Sequence, residues 1–153
     1  ADATKRIPES DGTVDVLYSS HMLEHINRDK AKDFLYEAKR VLRSGGIIRI
    51  AVPDIRLLIE DYLKNEDADD FMSKTELVTG RPTTLLKRLQ YVIVGERSHQ
   101  WMYDGKSLCR LLSEMGFQNP EIMQPGETKI DDPEPLNLEE RKIDSVYVEA
   151  INP

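Results

Sequence analysis

The sequence has almost no cysteine, and it lacks long apolar runs and a surplus of positive charge. The single thiol, Cys109, excludes an internal disulfide and a zinc site built from several cysteines. No apolar segment approaches the roughly 18 residues of a membrane span, and the first residues do not predict a secretory leader. Lysine and arginine total 21 against 28 aspartates and glutamates, so a nucleic-acid backbone is not an expected partner. A reducing cytoplasm is the expected compartment.

The first third of the chain has the pattern of a strand, a helix and a second strand. Residues 14–20 are apolar and β-branched, which predicts a strand. Apolar residues then recur at spacings of three and four over 31–42, which predicts a helix with one buried face. Gly45 and Gly46 are expected to end this helix, and the apolar run 47–52 predicts the second strand. This order indicates a parallel α/β sheet.

The remainder of the chain predicts more helices and two further strands. Apolar spacing indicates helices within 55–98, which reads as a helical cap inside a single domain. Asp104 is a candidate cap of another helix, which Gly116 ends. Residues 121–124 and 145–151 are the predicted last strands.

The segment from His21 to His25 (HMLEH) allows three interpretations. On a helix, His21 and His25 could bind one zinc ion while Glu24 activates a water, which is the H-x-x-E-H arrangement of one zinc peptidase class. The two histidines could instead be hydrogen-bonded around a turn. The third interpretation is a ligand pocket, because the motif follows a strand and ligands of open α/β sheets bind beyond the carboxyl ends of strands. That position argues against zinc.

Other polar residues are expected at the same edge of the sheet. Ser19 and Ser20 end the first strand, and Asp54 follows the second, where it is either a ligand-binding group or a helix cap. Cys109 lies on an apolar helix face, which predicts a buried structural thiol.

Several spaced elements together resemble class I S-adenosylmethionine (SAM)-dependent methyltransferases, in particular a subgroup with an H-x-L-E-H turn. They are the DA…P segment, the VDVLYSSH strand, the LEH turn, the EAKRVL helix and the GGIIRIAVPD turn and strand. The later pieces HQWMYD, LLSEMGF and SVYVEA also fit. The resemblance implies an α/β, Rossmann-like sheet with the family's fourth to seventh strands, helices on both faces, and SAM as the cofactor.

The family's glycine-rich first loop and the acid that ends its second strand have no counterpart here, since the sequence begins just before the fourth strand. We therefore expect 1–153 to be part of a larger methyltransferase domain, truncated at the N-terminus. The edge of the first strand here would then be open, and such an edge is prone to self-association.

The resemblance also implies roles for individual residues. His21 and His99 are candidate bases, because histidine titrates near neutral pH; His99 could also be a surface histidine. Asp54, Trp101 and Tyr103 are candidates for binding the acceptor, although core packing is the other expectation for the two aromatics. The residues implied to contact the cofactor are Asp2, Ala3, Ser19, Ser20, His21 and Leu23.

The expected function is methyl transfer to a small-molecule or saccharide-type acceptor, with O-methylation favoured. One alternative is a non-catalytic binding or assembly module with a methyltransferase-like fold. A less favoured alternative is a zinc hydrolase that uses His21, Glu24 and His25.

Overall fold

A computed structural model describes residues 6–77, 98–134 and 136–153. None of the helices in these ranges is long and apolar enough to span a membrane. The elements, in chain order, are β1 (Val14–Ser20), a 3-10 turn (Leu23–His25), α1 (Arg28–Val41), β2 (Leu42–Pro53), α2 (Ile55–Asn65), α3 (Ala68–Thr75), α4 (Gly105–Glu114), β3 (Gln118–Met123) and β4 (Ser145–Ile151).

The strands of the described residues form one mixed sheet in the order β1-β2-β4-β3. β1 is parallel to β2, while β4 is antiparallel to both β2 and β3. This arrangement confirms the predicted Rossmann-like sheet with an antiparallel pair at one edge. β1 forms the opposite edge of the described sheet. Self-association through that edge stays a prediction.

Helix α1 begins as the sequence predicts and ends earlier than predicted. Asn27 caps its start, because its side chain accepts a hydrogen bond of 2.9 Å from the amide of Lys30. The helix ends at Val41, and Leu42 already has an extended backbone and pairs with Val14 of β1. Strand pairing therefore ends the helix before any glycine is reached.

The prediction that Gly45 and Gly46 end α1 is wrong, because both glycines lie inside β2. The partners of β1 jump there from Leu42 to Ile47, so the intervening residues form a bulge. Gly45 has a φ of +76°, and a Cβ on Gly46 would lie 3.1 Å from the carbonyl oxygen of Asp15. The bulge needs glycine for its conformation and for its close approach to β1.

One face of the sheet carries the apolar core, and α1 and α4 pack against it. Apolar residues of β2 and β4 meet the apolar stripes of the two helices. Both of these helices contribute to the same core cluster. The core residues include Ala31, Phe34, Leu35, Ala38, Ile48, Ile50, Val52, Leu108, Leu111, Leu112, Val146 and Val148.

The opposite face of the sheet is organised by a buried ion pair between Arg49 of β2 and Glu149 of β4. The two residues are direct cross-strand partners, and Arg49 Nη1 lies 2.6 Å from Glu149 Oε1. The carboxylate also accepts hydrogen bonds from the Thr128 hydroxyl and the Lys129 amide, at 2.6 and 2.8 Å. Arg49 donates to two backbone carbonyls as well. Both carboxylate oxygens of Glu149 and both terminal nitrogens of Arg49 therefore have partners, whereas Arg49 Nε has none among the described residues. These bonds offset much of the cost of burying the two charges.

The long loop between β3 and β4 covers this second face. Tyr18 donates its hydroxyl to the Asn137 carbonyl at 3.1 Å, and Tyr147 donates to the Glu140 carbonyl at 2.6 Å. The Ser20 hydroxyl donates to the Glu140 carboxylate at 2.7 Å. These contacts hold the loop against the sheet at β1 and β4.

We predict that Glu149→Gln destabilises the fold strongly, because it leaves the Arg49 charge buried without its counter-ion. The expected loss in the free energy of unfolding is about 3–5 kcal/mol, measured by urea denaturation. The matched control is Glu139→Gln, which breaks the exposed Lys142–Glu139 pair and is expected to cost less than about 1 kcal/mol. Equal urea midpoints for the two variants would contradict this role of the pair.

Candidate functional site

His21 forms the turn that follows β1. Its φ of +47° is left-handed, and its amide donates to the Ala51 carbonyl at 2.9 Å, which continues the pairing with β2. The imidazole lies between two side chains: Nε2 is 3.0 Å from Ser145 Oγ, and Nδ1 is 3.4 Å from Glu24 Oε1. The ring is thus held between the start of β4 and the 3-10 turn.

Glu24 is a buried carboxylate at the centre of this turn. Its side chain is 1% exposed, and neither carboxylate oxygen has a hydrogen-bond partner among the described residues. Its backbone carbonyl accepts hydrogen bonds from the amides of Gln100 and Trp101, at 2.7 and 3.2 Å. These bonds attach the segment around Gln100 and Trp101 to the turn after β1.

His25 and His99 complete the surroundings of Glu24. Their rings meet edge to face with centroids 4.9 Å apart. One ring nitrogen of each histidine and one carboxylate oxygen of Glu24 all lie within 4.8 Å of one another. His99 Nδ1 lies 2.8 Å from the Thr75 carbonyl oxygen. Because a carbonyl can only accept, this nitrogen carries the hydrogen and Nε2 keeps the lone pair of the neutral ring.

The geometry does not support the H-x-x-E-H interpretation in its helical form. The motif occupies the end of β1 and a 3-10 turn, and α1 begins only at Arg28. His21 and His25 therefore do not share one face of an α-helix. His99 comes from a distant part of the chain instead, and no local spacing in the sequence links it to Glu24.

The residues expected to contact the cofactor have different surroundings. Ser19 Oγ is buried and has no hydrogen-bond partner among the described residues, whereas the Ser20 hydroxyl is bonded to Glu140. Leu23 is fully buried, and its side chain packs in the core beneath the turn. Asp2 and Ala3 lie outside the described residues.

Asp54 caps helix α2, as one of its two interpretations predicts. Its Oδ1 accepts a hydrogen bond of 3.0 Å from the amide of Arg56, and burial raises the pKa of its carboxyl. Asp54 also lines a cleft of about 390 Å³ with Asp104 and Lys106. Acceptor binding by Asp54 stays a prediction.

Trp101 and Tyr103 differ in burial. Tyr103 is fully buried in the core, and burial raises the pKa of its phenol. Trp101 is 44% exposed. The guanidinium of Arg28 lies 5.5 Å from the Trp101 ring and 5.7 Å from the Tyr103 ring, within cation–π range. The burial of Tyr103 fits the core-packing interpretation, and Trp101 keeps an accessible surface. Acceptor binding by either residue stays a prediction.

Residues 1–50, which are less than half of the chain, match the family profile described as a methyltransferase domain. No curated protein sequence matches the chain significantly.

Solved structures of SAM-dependent methyltransferases share this fold at low sequence identity. One from Thermotoga maritima is 17% identical with a TM-score of 0.57, covering 100% of this chain and 62% of its own. One from Archaeoglobus fulgidus is 15% identical with a TM-score of 0.53, covering 99% of this chain and 65% of its own. Human N-acetylserotonin methyltransferase, solved with SAM, is 15% identical with a TM-score of 0.51, covering 99% of this chain and 32% of its own.

The chain therefore spans less than two thirds of the length of each of these structures. The family profile thus supports the resemblance to methyltransferases over residues 1–50, and the solved structures show that the chain shares their fold. Membership of the H-x-L-E-H subgroup stays a prediction.

The cap role of Asp54 predicts different effects for two substitutions. Asp54→Ala removes the acceptor at the start of α2 and is expected to cost about 1 kcal/mol of stability. Asp54→Asn keeps a capping oxygen and is expected to retain nearly all of it. Thermal or urea unfolding measures both values, and an equal loss in the two variants would show that the charge, not the cap, matters.

Proposed function

We propose that this chain takes part in SAM-dependent methyl transfer to an oxygen of a small-molecule or saccharide-type acceptor. The observation that carries the proposal is the turn after β1. The segment that matches the methyltransferase profile contains this turn, and the turn lies at the carboxyl edge of a parallel strand pair. Ligands of open α/β sheets bind at such edges.

The residues of this edge fit a polar, extended cofactor. The buried Ser19 hydroxyl has hydrogen-bonding capacity that no described residue uses. The left-handed turn at His21 ends the strand, so the chain turns away at the point where a ligand would approach. By the family resemblance, Asp2 and Ala3 would contact the adenine. SAM, when bound, supplies a methyl group on a sulfonium, which is open to in-line attack by the acceptor.

In this proposal His21 accepts the proton of the acceptor hydroxyl. The hydrogen bond between its Nε2 and Ser145 Oγ holds the ring in its orientation, and Glu24 Oε1 lies 3.4 Å from Nδ1. A fixed ring at the edge satisfies the first requirement of a general base, which is position. His99 is the second candidate, and its side chain is less accessible, with 3% exposed compared with 11% for His21.

The segment 55–98 is proposed to select the acceptor. Its described part begins at the end of β2, directly beside Asp54, and α2 has no fully buried residue. Three apolar side chains of α2 are exposed, namely Ile59, Tyr62 and Leu63. An apolar surface next to the proposed ligand edge is suited to hold the body of an organic acceptor.

The test is transfer of isotope-labelled methyl from SAM to a panel of sugars, phenols and other hydroxyl compounds, comparing the unmodified chain with His21→Asn. Asparagine tolerates the left-handed backbone, so the variant removes the ring without straining the turn. We expect kcat to fall about 10²–10⁴-fold, with little change in the KM for SAM. An unchanged kcat would remove His21 as the base, and no labelled product from any acceptor would contradict the proposed function.

A further inference from the structure

We propose that Glu24, His25 and His99 bind a divalent transition-metal ion of the Zn²⁺ type. One ligand-type atom from each residue lies within 4.8 Å of the other two. The three residues come from the turn after β1 and from the distant segment that packs on it. A shared cation would therefore hold together two parts of the fold.

The carboxylate of Glu24 supplies the strongest argument. It is almost fully buried, yet both of its oxygens lack a hydrogen-bond partner among the described residues. A buried charge is unfavourable unless it is paired or coordinates a metal. His25 Nε2 lies 3.9 Å from Glu24 Oε1, so an imidazole ligand is already beside the carboxylate.

The ring of His99 is held by a backbone hydrogen bond, as the rings of metal-binding histidines commonly are. Its Nδ1 donates to the Thr75 carbonyl, and a hydrogen bond of this kind to a backbone carbonyl fixes ligating histidines in metal sites. The free lone pair is then on Nε2, which lies 3.7 Å from Glu76 Oε2. A carboxylate at that distance adds negative charge around a bound cation.

The ligand set favours zinc or a similar ion over magnesium or calcium. Two imidazoles and one carboxylate suit borderline-soft cations, whereas Mg²⁺ and Ca²⁺ prefer oxygen ligands. Zinc bonds of about 2.0–2.1 Å require ligand atoms roughly 3.3 Å apart, so the side chains would close inwards by rotamer adjustment. Three protein ligands leave one coordination position open.

In the proposed methyl transfer, the coordination position left open would be available to an acceptor oxygen. This use of the ion rests on the proposed methyl transfer, whereas binding of the ion does not. The zinc site and the proposed function can therefore be tested independently. Zinc binding without methyl transfer would contradict only the proposed function.

The test is calorimetric titration of chelator-treated full chain with Zn²⁺, with thermal unfolding as a second readout. We expect one equivalent to bind and to raise the melting temperature, because a ligand that binds only the folded state stabilises it. Glu24→Gln and His99→Gln keep the approximate shape of each side chain. Each is expected to weaken binding by at least about 100-fold and to abolish the zinc-dependent rise in melting temperature.

The matched control is Asp69→Asn, in an exposed acidic stretch that offers a nonspecific place for cations. It is expected to leave both readouts unchanged. Absence of one-to-one binding to the unmodified chain would overturn the proposal. Unchanged binding in a folded Glu24→Gln variant, or loss of binding in Asp69→Asn, would overturn it as well.

Discussion

The arrangement of the site depends on one buried carboxylate, that of Glu24, in the turn that joins β1 to α1. Its backbone carbonyl accepts hydrogen bonds from the amides of Gln100 and Trp101. Its side chain lies beside the rings of His21 and His25. The pairing of β1 with β2 holds this turn in place, because the hydrogen bonds between the two strands continue to the His21 amide. A single short segment therefore connects three parts of the chain at the carboxyl edge of the sheet: the turn itself, β2 and the segment around Gln100 and Trp101.

A comparison of two buried glutamates explains why Glu24 points to a ligand and Glu149 does not. Glu149 lies opposite Arg49 and also accepts hydrogen bonds from Thr128 and Lys129. Its charge is therefore compensated within the fold, where it fastens the loop that covers the second face of the sheet. Glu24 is buried to the same extent, but its ion-pair contacts within 4 Å among the described residues are with the rings of His21 and His25. The carboxylate of Glu149 therefore stabilises the fold, whereas, among the described residues, that of Glu24 has oxygens free to bind a ligand.

Local patterns in the sequence predict the sheet well and the site only in part. Alternating and β-branched residues predict both β1 and β4 with the bounds that the structure has. The cap of α1 at Asn27 also follows from local chemistry. The end of α1 does not, because pairing of Leu42 with β1 outweighs the glycine signal. The proximity of His99 to Glu24 has no local signal, since tertiary packing alone brings the two together.

The location of the cofactor at the turn after β1 is the claim on which the functional account rests. Titration of the ¹⁵N-labelled chain with S-adenosylhomocysteine, followed by its amide NMR spectrum, tests it most directly and detects weak as well as tight binding. We predict saturable shifts of the Ser19, Ser20 and His21 amides, with the distant Gly116 amide unaffected. Shifts confined to other parts of the sheet, or no saturable shift at all, would contradict it.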